Sequence, residues 1–188
     1  MESHNSYQES KLIRSFIEQV NRVGYESISV KSLTNAAGVN RTQFYQFFSG
    51  KADLAEYICS TYLDRFNKLL AESIKYTNRA ELRYRLGKAF DDMKLHASMI
   101  RALWAIEDRN FSPYLIMQNG MRGTILSCVS SSYQAETMHL QMFSSTFAAS
   151  AMATIRLFLD NECRDQDLII EDICTCVLDG MDKLLSSS

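Results

Sequence analysis

Residues 38–48 read GVNRTQFYQFF, a run too polar for a core and too aromatic for an ordinary surface. Its polar members suit the edges of DNA bases. A glutamine such as Gln43 or Gln46 can bridge adenine N6 and N7, Arg41 can fork onto guanine, and Thr42 can touch a thymine methyl. A phenol such as Tyr45, or a lysine at a helix start such as Lys51, can hold phosphates. At 100° per residue, Phe44, Phe47 and Phe48 fall on one side of a helix, with Thr42, Tyr45 and Gln46 opposite and Arg41 and Gln43 flanking. The spacing therefore predicts a short helix, pinned by three phenylalanines, that presents a hydroxyl, amides, a guanidinium and a phenol outward.

Other elements must hold that helix in place. A first helix is expected over Tyr7 to Val23, behind a frayed tail at 1–6, with Ile13, Phe16, Ile17, Val20 and Val23 as its buried stripe. Gly24 stands where a helix end favours a left-handed residue. Ser29 is placed to cap a second helix over Val30 to Ala37. Gly38 ends it, small Ala36 and Ala37 would allow close approach, and Asn40 caps the third, Arg41 to Phe48. Ser49-Gly50 stops that helix, and a fourth runs from about Ala52 to Tyr76. Two short helices joined by a tight turn form a helix-turn-helix, whose second helix enters the major groove. Ser29, Lys31 and Asn40 complete the candidate DNA-contacting set with Arg41, Thr42, Gln43, Tyr45, Gln46 and Lys51.

The run ISVKSLTNAAGVNRTQFYQFFSGKADL, from Ile28 to Leu54, resembles the DNA-binding domain of TetR-type transcriptional regulators. Gly24-Tyr25, Ala37-Gly38-Val39, Phe44-Tyr45, Phe48, Lys51 and Leu54 carry the likeness, which with helix one spans roughly residues 10–60. Leu33-Thr34 stands where the family often has Ile-Ala, and Thr42, Gln43 and Phe47 also depart from its usual residues. The resemblance implies an all-α chain: a three-helix DNA-binding domain at 1–51, then a larger helical ligand-binding and dimerisation domain at 52–188. It also implies a homodimer on a palindromic, double-stranded operator, most often as a repressor, but names no effector.

The remaining residues agree with that outline. Further helices are expected at about 79–96, 98–107, 112–130, 136–160 and 166–185. Ala148, Ala149, Ala151 and Ala153 would let a neighbouring helix come close. With Leu168, Ile169, Ile173, Val177, Met181 and Leu184 of the last helix they could form a four-helix dimer seam. Phe90, Met93, Trp104, Tyr114, Met117 and Met121 could line a pocket for a small apolar or amphipathic effector, since methionines adapt to varied ligands. The same side chains could equally be plain core.

The bulk composition limits the alternatives. The 188 residues are 46% hydrophobic and 22% charged, with one proline and seven glycines, which favours helices over a turn-rich sheet protein. Net charge is −2, yet residues 1–51 hold two more basic than acidic side chains and the rest four more acidic than basic. A basic head fits local contact with a polyanion. No run of membrane-spanning length and no signal-peptide pattern is seen, so a cytoplasmic protein is expected. Five cysteines without a secretory signal read as free thiols. Cys174 and Cys176 lie 200° apart on a helix, which disfavours joint metal ligation. No Ser-His-Asp arrangement, phosphate loop or paired metal-binding histidine points to an enzyme, a metal or a cofactor. The rival of another class is a helical small-molecule carrier or scaffold that no longer binds DNA.

Overall fold

A computed structural model of the chain describes residues 2–74, 78–108, 111–132, 137–160 and 165–186. Their regular structure is entirely helical: α1 (Glu2–Val23), α2 (Val30–Ala37), α3 (Arg41–Phe47), α4 (Lys51–Ile74), α5 (Arg79–Leu95), α6 (Ala97–Trp104), α7 (Pro113–Ser132), α8 (Thr137–Leu159) and α9 (Gln166–Ser186). The helix over 2–6 replaces the expected tail; no glycine or proline there interrupts it.

Two compact units result. The first comprises residues 1–62 and 96–114, the second 63–95 and 115–188, so α4 contributes to both. In the first, Leu12, Phe16 and Val20 of α1 are buried with Ile28, Leu33, Val39, Phe44, Phe48 and Leu54. The buried face of α1 is turned from the expected one. Val23 is 46% exposed, whereas the polar Ser15 and Gln19 are buried. Ser15 Oγ donates to the Leu33 carbonyl at 3.0 Å. Gln19 Nε2 donates to Ser15 Oγ at 2.9 Å and to the Ser32 carbonyl at 3.2 Å. Bonded in this way, the two polar groups escape the desolvation cost that would otherwise exclude them from the core. On another side of α1, Asn21 Nδ2 donates to the Ser98 carbonyl at 2.9 Å, joining α6 to this unit.

The second unit packs α5, α7, α8, α9 and the end of α4 around Phe90, Met121, Ile125, Met152 and Cys174. Along its outside, Arg79 and Arg83 of α5 share the Glu171 carboxylate of α9, Arg83 also reaches Asp167, and Arg79 bonds Thr175. Helices α8 and α9 meet at Gly180, where an added Cβ would lie 2.4 Å from Phe143. α8 corrects one expectation. Its 23 residues are long and apolar enough to cross a membrane by length and composition alone. Only Arg156 is charged in that stretch, and serines, threonines and small residues divide the apolar side chains. One face of the helix, Leu140, Ser144, Ala148, Met152 and Ile155, is buried inside the second unit.

Candidate nucleic-acid interface

Backbone chemistry fixes the α2–α3 turn. Ser29 Oγ accepts from Ser32 N–H at 3.1 Å and Ser32 Oγ accepts from Ser29 N–H at 3.0 Å, a reciprocal cap on α2. Gly38 ends the helix at φ 62°, ψ 36°, a left-handed conformation that costs glycine least. Thr34, where a small apolar residue would need no partner, is buried and donates its hydroxyl to the Val30 carbonyl at 2.9 Å. Ala36, expected at the close approach, is exposed instead.

α3 starts on a second reciprocal cap. Asn40 Oδ1 accepts from Thr42 N–H at 2.8 Å, and Gln43 Oε1 accepts from Asn40 N–H at 3.2 Å. Phe44 is fully buried and Phe48 nearly so, while Phe47 is half-buried. The rings of Phe44 and Phe48 lie 5.8 Å apart, and Tyr57 of α4 lies 5.5 Å from Phe48. Tyr57 donates to Glu9 of α1, and that bond, with burial, pushes the phenol pKa up. α3 is thus held from behind by aromatic packing that includes Tyr57 of α4, itself bonded to Glu9 of α1. In front, Arg41, Thr42, Tyr45 and Gln46 are exposed, with Tyr45 at 51%. The Arg41 guanidinium donates to Tyr45 Oη at 3.3 Å, so the guanidinium and the phenol stand together. Lys31 is exposed on α2.

Lys51 differs from its neighbours. Its Nζ donates to the Tyr25 carbonyl at 2.9 Å and the Ile28 carbonyl at 3.2 Å, and lies 4.3 Å from the centre of the Tyr25 ring. It ties the start of α4 to the connector between α1 and α2. Burial, then Asp108, push the Tyr25 phenol pKa up. The ring under Lys51 is therefore neutral at ordinary pH, and their attraction is that of a cation for a π face.

The candidate ligand residues fall in different places. Phe90, Met93 and Met121 line an apolar cavity of about 40 Å³ in the second unit, with Leu82, Phe147 and Ile155 among the other walls. Ser73 is its polar member, and its hydroxyl donates to the Leu69 carbonyl at 2.8 Å. Met117 is buried in the same unit but is not among the lining residues. Trp104 and Tyr114 belong to the first unit and pack edge to face at 5.2 Å. Reading the sequence named Phe90 and Met93 of α5 but missed Leu86 on the same helix and the walls supplied by α4, such as Phe66 and Leu70. Their apolar spacing was visible, but nothing in it separates a cavity wall from filled core. It also missed Ser15 and Gln19, whose importance lies in hydrogen bonds that periodicity does not show.

Cys59 and Cys174 are buried, Cys128 is half-buried and Cys176 is exposed; Cys163 lies outside the described residues. Burial pushes the Cys59 thiol up to about 11, so it stays protonated and unreactive at neutral pH. Among the described residues no group of three or more His, Cys, Asp or Glu is arranged to hold a metal ion.

Comparison with known proteins yields a match in this same region. The family described as bacterial regulatory proteins, tetR family, matches residues 13–58. No sequence among the curated proteins matches the chain significantly. Solved structures share its fold at low identity. The fatty acid degradation regulator FadR from Bacillus halodurans superposes with a TM-score of 0.68 at 13% identity, over 91% of this chain and 94% of that one. A TetR family transcription regulator from Marinobacter aquaeolei VT8 gives 0.67 at 14% identity, over 96% and 98%. A TetR-family transcriptional regulator from Streptomyces coelicolor gives 0.60 at 14% identity, over 95% and 99%.

Proposed function

We propose, from the match of residues 13–58 to the tetR family of bacterial regulatory proteins, that this chain is a ligand-responsive repressor of that family and binds a palindromic operator as a cytoplasmic homodimer. One observation carries the reading: a capped, aromatically clamped α3 that turns Arg41, Thr42, Tyr45 and Gln46 to solvent in the first unit. Residues 1–51 form the DNA-binding part and 52–188 the ligand-binding and dimerisation part. Arg41, Thr42, Gln43 and Gln46 meet bases. Ser29, Lys31, Asn40 and Tyr45 meet the backbone, and Lys51 stands beside them as a holding group. One seven-residue helix reads too few base pairs to be selective. Two copies on a two-fold axis read an inverted repeat with half-site centres about 34–36 Å apart, or a multiple of that.

The effector is a small apolar or amphipathic molecule seated around Phe90, Met93 and Met121. A cavity of about 40 Å³ is far below the roughly 300–1,000 Å³ of ordinary ligand sites. Occupancy must therefore move the walls, and a ligand that favours one arrangement shifts the population toward it. Linkage then requires operator DNA to weaken ligand binding by the factor by which ligand weakens DNA binding.

The test is binding to the DNA upstream of the protein's own gene, and to a randomised duplex library, across a salt series. Sequence-selective binding whose logarithm falls linearly with log salt is expected. The apolar cavity also suits a helical carrier that has lost DNA binding; a protein that retains no duplex even at low salt would overturn the first reading and leave this second one to be tested by ligand binding.

A further inference from the structure

We infer that Gln43 reads DNA as a hydrogen-bond donor only, and so selects a base that presents an acceptor in the major groove rather than adenine specifically. The inference rests on the DNA-binding reading above and deepens it. A carboxamide recognises adenine by using both ends at once, its oxygen accepting from N6 and its nitrogen donating to N7. Gln43 has one end already engaged. Its Oε1 accepts from the Asn40 N–H at 3.2 Å, closing the reciprocal cap whose other half is Asn40 Oδ1 on Thr42 N–H. The assignment of the two ends is fixed by chemistry, because the group facing a backbone N–H must be an acceptor. Among the described residues the Gln43 side chain bonds through Oε1, which leaves Nε2 as the end for a partner.

Oxygen and nitrogen diverge from one carbon. With the oxygen turned back to the start of α3, the fork that matches adenine no longer faces outward. A contact through Nε2 alone keeps the cap and adds a bond, whereas the adenine fork must draw the oxygen off the Asn40 N–H or share it between two donors, since the oxygen has one further lone pair. Guanine offers N7 and O6, adenine N7 and thymine O4 as acceptors, while cytosine offers the N4 donor. Gln43 therefore tolerates guanine, adenine and thymine and discriminates against cytosine. The strict selection is left to Arg41, Thr42 and Gln46, whose side chains take no part in capping α3.

Two substitutions in the full-length protein separate reading from capping. Gln43→Glu keeps an acceptor for the Asn40 N–H, glutamate being a common partner in such a cap, but removes the donor. Gln43→Ala removes both. All three proteins are bound to a randomised duplex library, and the base pair whose preference changes in Gln43→Ala is taken as the one Gln43 reads. There, the wild type should favour guanine over adenine, or adenine over guanine, by less than about threefold. It should disfavour cytosine by roughly twofold to tenfold, the worth of one hydrogen bond. Gln43→Glu should move the preference toward the bases that present an amine, cytosine and adenine, and away from guanine and thymine, without a loss of melting temperature. Adenine preferred over guanine by more than threefold overturns the inference while leaving DNA binding intact. So does a Gln43→Glu protein that keeps the wild-type preference, or a Gln43→Ala protein in which no position changes. A wild-type protein that enriches no sequence overturns the DNA-binding reading itself, and this inference with it.

Discussion

Lys51 carries its charge inward, onto two carbonyls and an aromatic face, at the position where a phosphate contact was expected. Hydrogen bonds to charged groups are worth about 1.5–3 kcal/mol. Lys51→Met should therefore lower the unfolding free energy of the protein by about 1–3 kcal/mol in urea titrations. A residue that served only DNA would leave the urea midpoint where it is. Any loss of DNA affinity in this variant should be alike for all sequences, since the lysine is engaged with the Tyr25 and Ile28 carbonyls. At this scale much was legible. Ser29, Gly38 and Asn40 were read as caps and turn from their types alone, because capping depends on a few local atoms. The inward turn of Lys51 was not, since it depends on carbonyls 23 and 26 residues away.

Among the elements, helix limits followed closely from punctuation by Gly, Pro, Asn and Ser, but the buried face of α1 did not. An apolar stripe predicts Ile13, Ile17 and Val23 inside; the packing instead turned Leu12, Ser15 and Gln19 inward, because α2 offers Ser15 and Gln19 carbonyl acceptors and Leu12 joins the apolar core beside them. The contact of α8 with α9 gives a sharper test. Gly180→Val must displace the Phe143 ring, which stacks on Phe147 at 6.0 Å. Overpacking of this kind costs about 1–3 kcal/mol, to be measured by chemical denaturation; an unchanged midpoint would mean that the two helices are not so closely set. The α5–α9 edge carries a pH signature. Arg79, then Arg83, hold the Glu171 carboxyl below its ordinary value. A depressed acid contributes stability that is fully present above its unfolded pKa and disappears as pH falls through the lower folded one. The melting temperatures of wild type and Glu171→Gln should thus differ at neutral pH and converge in acid. Curves that stay parallel down to the acid limit would show that the ion pairs contribute nothing.

For the molecule as a whole, the outward face of α8 is the feature that calls for a partner. Met138 and Met142 are each 60% exposed and Leu157 49%, with Ala149 and Ala153 exposed between them. Ala148, expected in the same seam, is buried inside the second unit, while Ala151 borders both the inner cavity and the open groove between α8 and α9. The side chains of Met181 and Leu184, also expected there, lie outside the described residues. If two copies meet along this face, Ala149→Glu places an unpaired charge in a tight contact. The variant should sediment as a monomer at concentrations where the wild type is a dimer, and should bind a two-fold operator more weakly. A dimer that survives the substitution removes α8 from the seam. The alanine run was readable as a place of close approach. Which alanines face in and which face out was not, because small residues satisfy both surroundings equally.

The cavity walls have a calorimetric consequence. With Ser73 already bonded to Leu69, a guest between Phe90, Met93 and Met121 meets no polar group in need of a partner. Beyond moving the walls, its binding chiefly removes hydrocarbon from water, so it should lower the heat capacity on association and, without DNA, leave affinity almost indifferent to ionic strength. Contact with a phosphate backbone behaves in the opposite way and fades as salt rises. One protein would then hold two associations that answer to different solvent variables, heat for the one and salt for the other. Linkage between them would show as a salt dependence that ligand binding acquires only when operator DNA is present.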